Sequence, residues 1–297
     1  MKRFLSCIFV WVFVLLVSYA GAGIKKTIAV SDFENKAGFS SEWNLGSGMA
    51  EMVTTSLANS GSFIVVERQN IQGILQEQDF SASGRTTKAG APEFGKLLNA
   101  QILVSGAVTE FAERSSGGGT GFTIKGFSFG GSGSFAHVAV NVRLYDVTTG
   151  QVIASKRVEG KAKSSGMSIG YARSGWGIGT SKFKKAPLGK ATQAAIDVAI
   201  AWICAELENV SWQGKVVTVK GEDVYLNCGA DSGVQVGDEF AIYSVGEDLI
   251  DPDTGISLGC ESEKTGRVQV YAVEEKFSKA RIIAGGGFER GYLVKQS

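Results

Sequence analysis

Apolar and polar positions along this chain change their period several times, and each change predicts an element. Thr27 to Phe33 is a short apolar run of strand length. Leu45, Met49, Met52, Val53 and Leu57 then recur at helical spacing and predict a helix over Leu45 to Ala58. A second strand over Ser62 to Glu67 and a second helix over Asn70 to Gln78 follow, the latter with Ile71, Ile74 and Leu75 inward. Pro92 is placed to open a short helix, because the first turn has no use for the missing N–H. Gln101 to Phe111 reads as a strand that fades into glycine. His137 to Val147 alternates with period two, Val138, Val140, Val142 and Leu144 on one side, and a turn at Asp146 to Gly150 returns the chain through Gln151 to Gly160. Pro187 starts the longest helix, to about Glu208, with Ile196, Ile200, Ile203 and Leu207 at core spacing. Strands alternating with helices predict an α/β (α+β) domain with a mixed sheet over residues 25–210.

From Ser211 the helical period disappears. Val216–Thr218, Val224–Leu226, Glu239–Val245, Arg267–Val273 and Ala280–Ile283 are short strand candidates divided by turn clusters such as Asp251-Pro252-Asp253-Thr254-Gly255. Residues 211–297 therefore predict a small all-β barrel or sandwich.

Two glycine-rich segments, 112–136 and 162–186, interrupt the α/β pattern. In the first, an uncharged arm from Ser115 to Ile124 meets Lys125, and the next charged residue is Arg143. In the second, uncharged arms flank Arg173. Two arms of roughly nine residues with a basic tip have the size of a membrane-spanning hairpin. Phe122, Ile124, Phe127 and Phe129 in the first, and Met167, Ile169, Tyr171, Trp176 and Ile178 in the second, are the candidate lipid-facing positions, with Gly and Ser between them suiting a lumen. Lys125 and Arg173 are the candidate tips. Solvent-exposed glycine loops are the competing reading, and the residues leave both open. If the hairpins insert, four strands cannot close a barrel and open edges do not survive in lipid, so several copies must contribute.

The first 22 residues have the form of a signal peptide. Lys2 and Arg3 precede an apolar run from Phe4 to Val17, and Ala20-Gly21-Ala22 supplies small residues before a mature start near Gly23. Fourteen residues fall short of the roughly 20 of a spanning helix, an uncleaved anchor being the alternative. Cys7 lies too close to Arg3 for a lipoprotein cysteine, so no lipid anchor is expected.

Composition removes several function classes. Thirty Lys and Arg against 29 Asp and Glu leave no basic footprint for nucleic acid. Forty glycines beside 44% apolar residues are neither collagen nor a disordered tract. His137 is the only histidine and starts an alternating strand, which favours a structural role over a catalytic triad. Gly117-Gly118-Gly119 and Gly175 to Gly179 lack the setting of a phosphate loop, and Asp251 with Asp253 fits a turn better than a calcium loop. Cys228 and Cys260 are either a disulfide pair or buried thiols, and the cysteine spacing fits no metal site. No cofactor, no metal and no enzymatic activity are expected.

Several short motifs taken in order resemble the CsgG-type curli-secretion channel family over about residues 27–210. They are Ile28-Ala29-Val30 with Asp32-Phe33, Val65-Val66-Glu67-Arg68-Gln69 before Ile74-Leu75-Gln76-Glu77, Val104-Ser105-Gly106, Val138 to Leu144, and Thr149-Gly150-Gln151-Val152-Ile153. The resemblance implies a homo-oligomeric outer-membrane ring over a periplasmic vestibule, each protomer giving two hairpins to one barrel. It implies passive export of an unfolded fibre subunit, and periplasmic accessory partners. A loop after the first strand narrows the pore in that family; Phe39, Trp43 and Asn44 are the matching constriction candidates here, with packing before the helix as the other reading of Trp43. The family's lipidated cysteine has no counterpart. The C-terminal region, especially Gly237-Asp238-Glu239-Phe240, is similar to the C-terminal domain of a flagellar-basal-body accessory protein. The alternative function is a periplasmic scaffold without a pore.

Overall fold

The computed structural model describes residues 24–40, 44–87, 97–116, 122–124, 127–129, 133–164, 183, 185–253 and 257–297. The expected signal peptide, the helix after Pro92, Trp43, Lys125, Arg173 and the second hairpin's candidates Met167, Ile169, Tyr171, Trp176 and Ile178 lie outside them.

The first domain is a mixed α/β layer. Strands β1 (Lys26–Val30) and β3 (Phe63–Val66) are parallel, and β1 is also parallel to β4 (Ile102–Ser116). Strands β7 (Gly133–Asp146) and β8 (Val152–Ser164) extend the sheet antiparallel, giving the order β3-β1-β4-β7-β8, with the two-residue β2 (Glu34–Asn35) pairing beside β4. Helix α1 (Leu45–Ser60) starts where the Asn44 side chain accepts from the Gly46 and Ser47 N–H groups and stops at Gly61, whose φ of 67° is left-handed and needs no Cβ. Helix α2 spans Ile71–Ala82.

Helix α3 (Pro187–Glu208) begins on Pro187, as expected for the first turn. Among the described residues it is the one helix long and apolar enough to cross a membrane, by length and composition. Here it lies on the sheet: Leu188, Ala195, Ile196, Ile203 and Leu207 are buried in one cluster with Val138, Val140, Val142 and Leu144. Gly160 makes the approach close, since a Cβ there would fall on the backbone of Ala191 and Ala195.

Three strands are longer than the period predicts. The ladder between β4 and β7 continues to Ser116 opposite Gly133, and β8 pairs with β7 as far as Ser134 opposite Ser164. Fading apolar content at Phe111 marks the end of the buried face, whereas the backbone ladder needs no apolar side chain to continue.

Residues 211–297 form a closed six-stranded barrel, which settles the barrel-or-sandwich alternative. Its strands are β9 (Gln213–Lys220), β10 (Asp223–Leu226), β11 (Glu239–Tyr243), β14 (Lys264–Val273), β15 (Ser278–Gly285) and β16 (Leu293–Gln296), closing in the order β10-β15-β14-β11-β16-β9. Phe240, Ile242, Leu226, Val268 and Val294 fill it, in a cluster separate from that of the sheet. A two-stranded hairpin, β12 (Asp248–Ile250) and β13 (Ser257–Cys260), leaves the barrel between β11 and β14. Cys228 is a buried free thiol, not bridged to Cys260, and burial pushes it up to about 12.

Candidate functional site

The chain's candidate chemistry gathers on the long antiparallel strands and on the loop after β1. Strand β7 has two faces: Val138, Val140, Val142 and Leu144 meet α3, so His137, Asn141 and Arg143 belong to the other. Glu110 from β4 and Glu159 from β8 both stand opposite Ala139, which puts them on the face of His137. A bulge between Val108 and Glu110 makes this alignment. In a regular ladder Thr109 would pair with Ala139, and Glu110 would fall opposite Val138 and point into the core.

These residues form one polar knot. His137, 4% exposed, sits with Nδ1 at 2.8 Å from Glu110 Oε2 and Nε2 at 3.2 Å from Glu159 Oε2. Arg157 reaches Glu110 Oε1 at 2.7 Å and Glu159 Oε1 at 3.2 Å, and its Nη1 donates to Thr109 Oγ1 at 2.8 Å. Lys161 Nζ lies 3.3 Å from Glu159 Oε2. Partial burial opposes ionisation of Glu159, but hydrogen bonds from Arg157, His137 and Lys161 outweigh it and hold the carboxyl down at about 2. The knot therefore ties three strands together just before they leave the helix-covered part of the sheet. Alternation along β7 sets His137 apart from the face of Val138 to Leu144, but only the bulge and the strand register bring His137, Glu110, Thr109, Arg157, Glu159 and Lys161 together. Among the described residues no group of His, Cys, Asp and Glu is arranged to hold a metal ion.

Beyond the knot the strands run on into both glycine-rich segments, as far as Ser116, Gly133 and Ser164. Within the first segment, β5 (Phe122–Ile124) pairs antiparallel with β6 (Phe127–Phe129), Ile124 opposite Phe127 and Phe122 opposite Phe129. The backbone thus reverses between Ile124 and Phe127, where the sequence places its basic tip. Both segments spring from neighbouring strands at one end of the sheet.

The loop after β1 is held closely. Phe39 packs edge-on against Phe111, centroids 4.8 Å apart, and is partly buried against the sheet's core. Asn35 Nδ2 donates to the Phe39 carbonyl at 2.6 Å. Asn44, a constriction candidate, caps α1 through its side chain. The motif residue Asp32 accepts from Ser47 Oγ at 2.8 Å and from Gln69 Nε2 at 3.0 Å, joining the loop, α1 and the turn before α2. Glu67 Oε1 in turn accepts from the Gln69 and Asn70 N–H groups.

The chain is similar to known proteins. A family model described as "Curli production assembly/transport component CsgG" matches residues 14–227. The chain is 27% identical over 198 residues to a putative lipoprotein, NMB1126/NMB1164, of Neisseria meningitidis serogroup B, covering 64% of this chain and 80% of that one. It is 28% identical over 108 residues to the curli production assembly/transport component CsgG of Salmonella typhimurium, 35% of this chain and 39% of that protein. The chain thus spans less than half the length of that relative. A solved structure of the hypothetical protein CT253 from Chlamydia trachomatis covers 62% of this chain and 98% of its own at 18% identity and a TM-score of 0.40. The family match ends at residue 227, so most of the barrel lies beyond it. With the match spanning the α/β domain and its glycine-rich segments, the chain belongs to the CsgG family of curli production assembly/transport components.

Proposed function

We propose that this protein is a protomer of a homo-oligomeric outer-membrane channel through which an unfolded fibre subunit is exported passively, with no enzymatic step. The observation that carries this reading is the placement of both glycine-rich segments on adjacent long strands at one end of the sheet. Strands so placed can pass into one continuous antiparallel wall, and family membership supports an envelope role in secretion or assembly. Each copy would give four strands to a wall that closes only in a ring, with the α/β domain on the periplasmic side. The polar knot would then hold the three strands in register where the wall begins. Phe39 and Asn44 have structural partners, so a constriction built from this loop would rest first on Trp43.

Lipid-facing parity is tested by arginine. Ile169→Arg or Ile178→Arg should cost about 2–4 kcal/mol near the midplane and abolish the outer-membrane oligomer, whereas Ser168→Thr or Gly177→Ser should be tolerated. The readout is the fraction of chain recovered from outer membranes as a heat-labile ring. Equal tolerance at all four positions rules out the channel. A scaffold reading, the periplasmic accessory protein without a pore, draws on the barrel beyond residue 227, and a detergent-independent soluble monomer would favour it.

A further inference from the structure

The barrel is attached to the α/β domain in two places. The first is the chain itself. Val210 packs against the core of the sheet and Trp212 is buried in the barrel's cluster, so one exposed residue, Ser211, separates the two cores. A link that short keeps the domains close, but backbone rotation at a single point still permits swivelling.

The second attachment comes from the opposite end of the α/β domain. Ile24, two residues before β1, is 5% exposed and belongs to the barrel's apolar cluster with Trp212, Val234 and Phe288, not to the sheet's. Its apolar surface is out of water only while the barrel is seated. The Lys25 N–H donates at 2.8 Å to the carbonyl of Ser232, in the 3-10 turn Ala230–Ser232 between β10 and β11. Gln101, just before β4, adds a polar bridge. Its Oε1 accepts from the Thr27 N–H at 3.3 Å, and its Nε2 donates to the Gln213 carbonyl at 3.3 Å, at the start of β9.

These contacts share one place in the fold. Because β1 and β4 run parallel, Lys25 and Gln101 lie at the same end of the sheet, where both strands begin. The glycine-rich segments belong to the other end, since β4 covers roughly 45 Å between Ile102 and Ser116 at ~3.3 Å per residue. Two attachments on separate strands of one sheet fix an orientation that a single link cannot. A rotation about Ser211 would have to draw Ile24 out of the barrel's core.

We infer that Ile24, Lys25 and Gln101 form a second mount that locks the barrel in one orientation at the end of the sheet away from the glycine-rich segments. The mount needs only the chain itself. In the ring reading above it makes the barrels a fixed collar at the membrane-distal mouth, and that consequence rests on that reading.

Pulsed electron spin resonance reads the orientation. Spin labels are placed on Glu51→Cys in α1 and Glu222→Cys in the turn between β9 and β10, both exposed positions. The full-length chain also carries Cys7→Ala, Cys204→Ala and Cys260→Ser, and is mixed with excess unlabelled chain. One narrow distance distribution is expected. Ile24→Asp should widen it at least twofold, Lys25→Pro, which removes the donating N–H, should widen it less, and Ile24→Val should leave it narrow. Buried Cys228 staying unreactive toward a maleimide shows that the barrel is still folded. Where Ile24→Asp exposes that thiol, Ile24→Ala with Gln101→Ala removes the contacts without placing a charge in the core and takes its place. A broad distribution in the unaltered chain, or a narrow one in both Ile24→Asp and the milder pair, overturns the mount. A soluble monomer with a narrow distance supports the mount and ends the ring reading. An outer-membrane ring with a broad distance ends the mount and leaves the ring standing.

Discussion

The two domains solve the problem of sheet edges differently. In the barrel every strand has two neighbours, and the chain closes on itself. The α/β sheet stays open, with β3 and β8 at its margins and three strands running past the part that α3 covers. Edge β8 carries Lys156, Arg157, Lys161 and Lys163, and edge lysines discourage indiscriminate pairing. The barrel is complete as one chain. The open sheet has strand ends whose continuation belongs to the glycine-rich segments.

Separate cores imply that the two domains can be broken separately. Phe240 is fully buried in the barrel cluster and lies 5.8 Å from Trp212, so Phe240→Ala should cost about 3–5 kcal/mol there. Calorimetry should show two transitions, with only the barrel's moved. A common shift would mean that the domains unfold as one unit and that the comparison overstates their independence.

Gly160→Val probes the other side at smaller amplitude. Its Cβ would meet the backbone of Ala191 and Ala195, which cannot rotate away as a side chain can. α3 must therefore move off the sheet, at about 1–3 kcal/mol. The α/β transition should fall by several degrees while the barrel's stays in place.

The smallest effect sharpens the role of the polar knot. Glu159 is held at about 2 against an ordinary 4.5, so its contribution is fully present above about pH 4.5. It is lost as pH falls from there through 2, because over that range the unfolded chain takes up a proton that the folded state resists. Solvent reaches the group, so the effect is about 1 kcal/mol after screening. Glu159→Gln should lower stability at pH 7 by about that amount and flatten the α/β transition's pH dependence between 4.5 and 2. An unchanged acid profile would show that Arg157 and Lys161 merely neighbour the carboxylate.

Much of the fold was written in period and punctuation. Leu45 to Leu57 and Ile196 to Leu207 repeat at helical spacing, Pro187 marks a helix start, and the alternation from Val138 to Leu144 names the buried face before any contact is known. The motif order also carried the family. These signals are local, since each depends on which residues share a face a few positions apart. Strand length was not legible: β4 runs to Ser116 because its neighbour continues beside it, and pairing is a property of two segments. The same holds for β16 and the β12–β13 hairpin, whose few residues give too short a pattern to stand above turn composition.

The sequence by itself determined the α/β order, the all-β character after Ser211, the two glycine-rich segments with their uncharged arms and the buried face of the strand from Val138 to Leu144. Tertiary structure alone decided that residues 211–297 close into a barrel, that a bulge at Thr109 turns Glu110 outward, and that His137 lies between two carboxylates from different strands. The physical reason is the range of the interactions. Periodicity reports the face to which a side chain belongs, whereas closure, register and a salt-bridged knot depend on strands separated by tens of residues meeting at one position, which a local pattern does not encode.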